Sequence, residues 1–517
     1  MRGIGEKEKR FEIGLFIAMG MVFLFTRLFR VTDLPHGLHI DEVGIAYDAW
    51  CLANYGVDRY LKSWPVYFTN YLSGQNALYT YLCVLCMKIF GNTVWAIRMP
   101  AVFSAVLTLV FGMLVTRESF PRKPSYCWWT GMLITICPYF IMASRFGLES
   151  NLVLGFSTMF LYVFLLAIRK ESIGYYVLAG ALGGILLYTY ALTYIFAPLF
   201  LLMAFMYCVR TKQFCWWKWG IMAIPWGILA SPLIAVQLIN MLDLPEQQWG
   251  IFTITKLVYY RASEIGRFSL SGLWDVLRVL VCGDDLRYNT APGYANLYAV
   301  SLVFLVIGVF SVAIKAWRSV KECEFIGIAI VFIWFVAVVA TCCHIAEINV
   351  NKMNGVFFCV ALFTAIGIVE TFERMRKRKI PMQIGIMVGY TLLFLGFVSF
   401  YYGGRYQQEN YPISYFDVTV AEAIERIEMD DSLCGKTTYM AEDKEYFAIS
   451  AQISPYDMVF PGENKYLNYV FGTLPEISTS NNYIVRDMFA EYKQSLREYG
   501  FIEEKYPGYS LFYIYEE

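Results

Sequence analysis

Apolar runs of about twenty residues recur along almost the whole of this 517-residue chain. A bilayer core of about 30 Å is crossed by roughly 20 apolar residues in a helix, so runs of this length restrict the choice of fold severely. They cover approximately residues 12–31, 99–116, 126–143, 150–168, 175–190, 191–209, 219–240, 297–315, 325–343, 353–371 and 382–402. With 58% hydrophobic and 16% charged residues and a mean hydropathy of +0.48, the chain lacks the charged surface of a soluble protein this long. The expected fold is an α-helical polytopic membrane protein of about 11 spans.

Basic residues set the topology. Arg117/Arg122/Lys123, Arg169/Lys170, Arg210/Lys212, Lys315/Arg318/Lys321 and the run from Arg374 to Lys379 fall on one side of this assignment, together with the basic N-terminus. That side is read as the cytoplasm, and the first span as retained, because no small-residue cleavage site follows it. The apolar segment 76–90 would invert every later loop if it crossed, so it is read as a helix in the outer interface. Two long outer loops result, 32–98 and 241–296, both rich in Trp and Tyr. Of 42 basic and 42 acidic residues, the stretch from Arg405 onward holds 9 and 20. This acidic tail, 405–517, alternates helical and strand-like stretches and is expected to form a small extracytoplasmic α/β domain beyond a membrane domain of residues 1–404. Thirteen cysteines, twelve of them before the tail, form no disulfide framework. Three histidines without HxxH or HxxxH spacing argue against an all-His metal site.

Polar groups that could carry chemistry collect at the outer boundary. Asp41 and Glu42 stand just beyond the first span, and as adjacent carboxylates they could take a proton, hold a cation or orient a hydroxyl. The competing reading is an acidic turn capping a helix that begins near Val43. Arg98 precedes Met99-Pro100, Arg145 stands four residues before Glu149, and Lys352 lies within Asn349-Val-Asn-Lys-Met-Asn354. Arg145 and Glu149 could be an ordinary helical ion pair, whereas Lys352 among amides suits a phosphate. Arg27 and Arg30 are read as snorkelling to headgroups. The second outer loop offers Asp284, Asp285, Arg287, Tyr288 and Asn289, a set suited to sugar hydroxyls or phosphate or simply to a solvated turn. No Walker A, GxSxG or HExxH motif occurs, which leaves ATP-driven transport and the common hydrolase chemistries unsupported.

The motifs Pro35-x-Gly37-x-x-x-Asp41-Glu42, Phe90-Gly91, Trp95-Ala-x-Arg98-x-Pro100, Ser144-Arg145-x-Gly147 and Arg287-Tyr288-Asn289 resemble those of bacterial GT-C polytopic glycosyltransferases. The similarity is to the branch of the protein O-mannosyltransferases and lipid A aminoarabinose transferases. The resemblance implies a sugar, hexose or pentose, carried on polyprenyl phosphate and transferred with inversion to a hydroxyl of an envelope acceptor at the outer face of the plasma membrane. It makes Asp41 the base and Glu42 its orienting neighbour. Arg98, Arg145 and Lys352 would neutralise the leaving phosphate, with Glu149, Arg287, Tyr288 and Asn289 completing the substrate site. Lys352 stands where relatives often have Arg. A divalent cation stays open, because relatives differ in using one. The expected partners are the lipid-linked donor, the acceptor and the bilayer, with no nucleic acid. The main rival is a transporter or lipid flippase of envelope precursors, which would show repeats or broken helices around a midplane site.

Overall fold

The computed structural model describes residues 2–71, 73–259, 270–284, 286, 288–375, 378–410, 416–417, 420–441, 444–458, 460 and 462–515. Helix α1 (Arg2–Leu28) leads to β1 (Leu38–His39) and α2 (Ile40–Tyr55), then to an antiparallel hairpin of β2 (Tyr67–Asn70) and β3 (Ser73–Asn76). After it come α3 (Ala77–Phe90), α4 (Val94–Ser119), α5 (Pro124–Ile136), α6 (Pro138–Met142), α7 (Leu152–Lys170), α8 (Ile173–Leu187), α9 (Thr193–Arg210) and α10 (Trp216–Met241). A hairpin of β4 (Gln247–Trp249) and β5 (Phe252–Ile254) and helix α11 (Leu270–Cys282) precede α12 (Ser301–Glu322), α13 (Gly327–Cys342), α14 (Phe357–Arg374), α15 (Lys379–Tyr402) and α16 (Arg405–Asn410).

All eleven expected spans are helical, and the protein is a multi-pass membrane protein. Among the described residues seven helices are long and apolar enough to cross a bilayer by themselves, and α8 and α13 are shorter apolar helices. The run 126–143 is divided at Cys137, because the residue before Pro138 is driven to extended backbone. Helix α3 is, like α8 and α13, a shorter apolar helix, its 14 residues rising about 21 Å. Outward stripes such as Ile224, Ile228 and Leu238 on α10, or Ile384, Val388, Leu392 and Leu395 on α15, are exposed because their solvent is lipid. Helices α7 and α14 form the buried centre. Close approach relies on glycine: a methyl at Gly308 would lie 1.8 Å from Phe363 O, and one at Gly367 1.8 Å from Phe304 O, so α12 and α14 touch backbone to backbone.

The tail comprises β6 (Phe416–Asp417), α17 (Ala421–Glu428), α18 (Asp431–Cys434), β7 (Thr437–Met440), α19 (Lys444–Ser450), β8 (Lys465–Tyr466), β9 (Tyr469–Phe471), β10 (Asn481–Arg486), α20 (Ala490–Glu498), β11 (Ile502–Tyr506) and β12 (Tyr509–Tyr513). Six of these strands form one mixed sheet in the order β11-β12-β10-β7-β9-β8. The sheet domain rests on the first outer loop. Strand β6 pairs with β1, Tyr446 donates to Leu38 O at 3.0 Å, and Tyr47 donates to Ile453 O at 2.9 Å. The second outer loop joins them, with Thr253 N donating to Ser63 O at 3.0 Å and Lys62 paired with Glu246 at 2.9 Å. Ion pairs such as Lys123–Glu373 at 2.7 Å, Arg169–Glu118 at 2.7 Å and Lys315–Glu370 at 2.6 Å tie the helix ends in the basic loops.

Candidate active site

The first turn of α2 assigns different roles to the two adjacent carboxylates. The helix starts earlier than the Val43 expected for an Asp cap: His39 is the N-cap, and Asp41 and Glu42 lie inside the first turn. His39 Nδ1 accepts from Asp41 N at 3.1 Å while Glu42 Oε2 accepts from His39 N at 2.8 Å, a reciprocal cap. Glu42 is completely buried, and four donors converge on its two oxygens. Besides His39 N these are Gly147 N at 2.6 Å, Arg98 Nε at 3.1 Å and Arg98 Nη2 at 3.3 Å. Asp41 points the other way, with its side chain 40% exposed.

Arg98, on α4, has no donor to spare for a ligand. Beyond Glu42 it donates to Val31 O at 2.6 Å, Pro35 O at 3.0 Å and Gly37 O at 2.5 Å, and so welds the loop between α1 and β1 to α4. Arg145 is equally committed. Its five N–H groups reach the carbonyls of Leu34, Thr26, Arg27, Phe29 and Arg30, and its guanidinium lies 5.1 Å from the Tyr402 ring. It closes the carboxyl end of α1, where unpaired carbonyls concentrate negative charge. The stretch from Arg145 to Leu148 is not helical, so the expected i,i+4 pair with Glu149 does not form on a helix. Arg27 does not snorkel either: it is buried and donates to Ile134 O and Thr135 O at the end of α5.

Glu149 begins a 3-10 turn (Glu149–Asn151) and accepts from Asn76 N at the start of α3, which places it at the base of the β2–β3 hairpin. Tyr288 comes from the second outer loop to lie tilted beside His39, ring centroids 4.8 Å apart, with Phe146 5.8 Å from Tyr288. Asn289 donates to Asp284 Oδ2 at 3.2 Å, and the same oxygen accepts from Val350 N at 2.7 Å. Burial pushes the Asp284 carboxyl above its usual range. This link carries the loop to the 3-10 turn Asn351–Val356, where partly exposed Lys352 uses one of its three donors on Ala346 O at 3.2 Å. Arg287 and Asp285 lie outside the described residues. Among the described residues no group of three or more His, Cys, Asp or Glu side chains converges as a metal site would require.

Four residues absent from the sequence motifs belong here: Asn70, Arg59, Asp48 and Glu445. Asn70, at the tip of β2, donates from Nδ2 to Asp41 Oδ1 at 3.3 Å. Its own Oδ1 accepts from Arg59 Nη2 at 3.1 Å, and buried Arg59 is paired with Asp48 at 2.9 Å and with Glu445 of α19 at 3.3 Å. The available signal is Asp48, Asp58 and Arg59 standing within an aromatic, apolar loop.

Residues 76–239 match the family model described as dolichyl-phosphate-mannose-protein mannosyltransferase. No curated protein matches the chain. Among solved structures, ArnT from Cupriavidus metallidurans bound to undecaprenyl phosphate is similar over 97% of both chains, with 12% identity and a TM-score of 0.60. Its apo form is similar over 98% of both, at 12% identity and a TM-score of 0.57. The Archaeoglobus fulgidus oligosaccharyltransferase in complex with Zn and sulfate is similar over 84% of this chain and 61% of its own, at 14% identity and a TM-score of 0.50. The resemblance read from five short motifs is thus accompanied by a likeness of fold to ArnT over 97% of the chain.

Proposed function

We propose that this protein transfers a sugar from a polyprenyl-phosphate donor to a hydroxyl of a cell-envelope acceptor, with Asp41 as the base. The observation that carries the reading is the division between the carboxylates: Glu42 is sealed by four protein donors, whereas Asp41 opens to the outside beside it. A likeness of fold to ArnT, crystallised with undecaprenyl phosphate, supports a lipid phosphate as carrier. In the transfer Asp41 takes the proton of the acceptor hydroxyl as its oxygen attacks the anomeric carbon. The bond from that carbon to the phosphate oxygen breaks, the lipid phosphate leaves with the electron pair, and the anomeric centre inverts.

Charge grows on the phosphate oxygens during this step, and the two remaining donors of Lys352 are suited to it. Tyr288, Asn289 and Glu149 border the sugar. Arg98, Arg145 and Glu42 act through position, holding the frame from which Asp41 projects. The working face is extracytoplasmic, the N-terminus cytoplasmic and the sheet domain outside, a reading supported by basic loops gathered at the opposite helix ends. Purified protein, a mixture of radiolabelled undecaprenyl-phosphate hexoses and membrane extract as acceptor test the proposal. Label in a new product of inverted anomeric configuration supports it. Protein that remains folded and transfers nothing favours the transporter reading.

A further inference from the structure

We infer that Asn70 is a positioning residue for Asp41, set in its working orientation by buried Arg59 and, through Arg59, by Glu445 of the C-terminal sheet domain. The inference rests on Asp41 being the base proposed above. Among the described residues Asn70 Nδ2 is the one hydrogen-bond donor to the Asp41 carboxylate. His39 Nδ1 lies 3.6 Å from Asp41 Oδ2, but its lone pair already accepts from Asp41 N, and burial holds His39 below the usual histidine range. It therefore faces the carboxylate as a neutral acceptor. One amide fixes Oδ1, which turns Oδ2 toward the acceptor hydroxyl.

The amide has only one way round. A guanidinium has donors and no acceptor, so the Asn70 atom 3.1 Å from Arg59 Nη2 must be the oxygen, and the NH2 group then faces Asp41. Arg59 is itself immobile. Its Nε and Nη2 clamp Asp48 at 2.9 Å each, its Nη1 lies 3.3 Å from Glu445 Oε1, and none of its surface is exposed. Helix α2 is cut to receive the amide: a methyl at Gly44, one turn beyond Asp41, would sit 2.2 Å from Asn70 Oδ1 and 2.8 Å from Arg59 Nη2. The adjacent Tyr71 donates to Ile40 O at 3.3 Å, so the hairpin tip grips the start of α2 at two points. The Asp48–Arg59–Glu445 cluster thus connects the sheet domain to Asp41 through a single side-chain amide.

The charged and titratable groups facing Asp41 are His39 and Glu42 of its own segment, Tyr71 and, behind Asn70, Arg59 of the first outer loop, and Arg98 of α4 behind Glu42. In the transfer assay with undecaprenyl-phosphate hexoses, Asn70→Leu lowers kcat about ten- to a hundredfold with donor KM within about twofold. Asn70→Asp still offers Arg59 an acceptor, so the chain folds. It sets a second carboxylate against Asp41, and the acid limb of the rate profile moves upward by about one pH unit. Glu445→Gln lowers kcat by a smaller factor in the same direction. Native rates and a native pH profile in both Asn70 variants, with Asp41→Asn inactive, overturn the inference and leave the function standing. Native kcat in Glu445→Gln removes the sheet domain from it. Native activity in Asp41→Asn overturns instead the reading beneath it.

Discussion

Replacing Glu42 by glutamine separates a framework carboxylate from one that works on substrate. Four N–H donors converge on its two oxygens, at 2.6 to 3.3 Å. Glutamine supplies one oxygen and one NH2 group, so about half of these donors meet another donor. Arg98 also loses its carboxylate partner within a site from which both side chains are fully excluded from solvent. Breaking a buried ion pair from one side costs about 3–5 kcal/mol, and the carbonyls of Val31, Pro35 and Gly37 that stay on Arg98 favour the lower end. A loss of about 3 kcal/mol lowers the ratio of folded to unfolded protein on the order of a hundredfold. Thermal unfolding of purified Glu42→Gln and Asp41→Asn in the same detergent provides the assay. Glu42→Gln is expected to melt several degrees below native protein, and Asp41→Asn close to it. Glu42→Gln that melts like native protein yet has lost transfer would place Glu42 on the substrate and refute the reasoning.

Lys352→Ala is expected to raise donor KM about tenfold in steady-state transfer, and an unchanged KM would remove Lys352 from the phosphate site. Gly308→Ala forces α12 from α14, where the added methyl would meet Phe363 O, and should cost about 1–3 kcal/mol in a melting experiment; native melting would contradict that packing. Asp58 is pushed up to about 7 by burial and by the charge of Asp48, and among the described residues its buried Oδ2 has no hydrogen-bond partner. Because this folded value lies above the ordinary 3.8, the folded chain holds the extra proton between about pH 4 and 7, and stability falls as pH rises through that window. Asp58→Asn should flatten this dependence in melting temperatures taken near pH 4.5 and 7.5, and an unchanged slope would contradict the assignment.

The membrane helices are legible in the sequence because a bilayer demands length and apolarity from each segment separately, a local requirement. Strand-like runs expected at Thr437 to Met440 and Asn482 to Val485 are strands, Thr437–Met440 and Asn481–Arg486, because their pattern too is local. Asp41 and Glu42 stand out as a pair, but their different tasks do not. Which one is sealed depends on Arg98, 56 residues away, and on Gly147, 105 residues away. Arg145 looks like a phosphate ligand for as long as the carbonyls at the end of α1 are invisible, and Arg27 misleads in the same way at the end of α5. The contact of Arg59 with Glu445 spans 386 residues and has no local signature beyond a charge in an apolar loop. Long-range pairing assigns the roles, whereas local pattern only nominates the candidates.

The most direct test of the account compares native protein with Asp41→Asn for transfer of label from undecaprenyl-phosphate hexoses. A general base contributes about 10²- to 10⁴-fold, and asparagine keeps the size of the side chain but cannot take the proton. Transfer by native protein is expected, with a loss of at least about a hundredfold in Asp41→Asn at unchanged melting temperature. Equal transfer by the two proteins would contradict it.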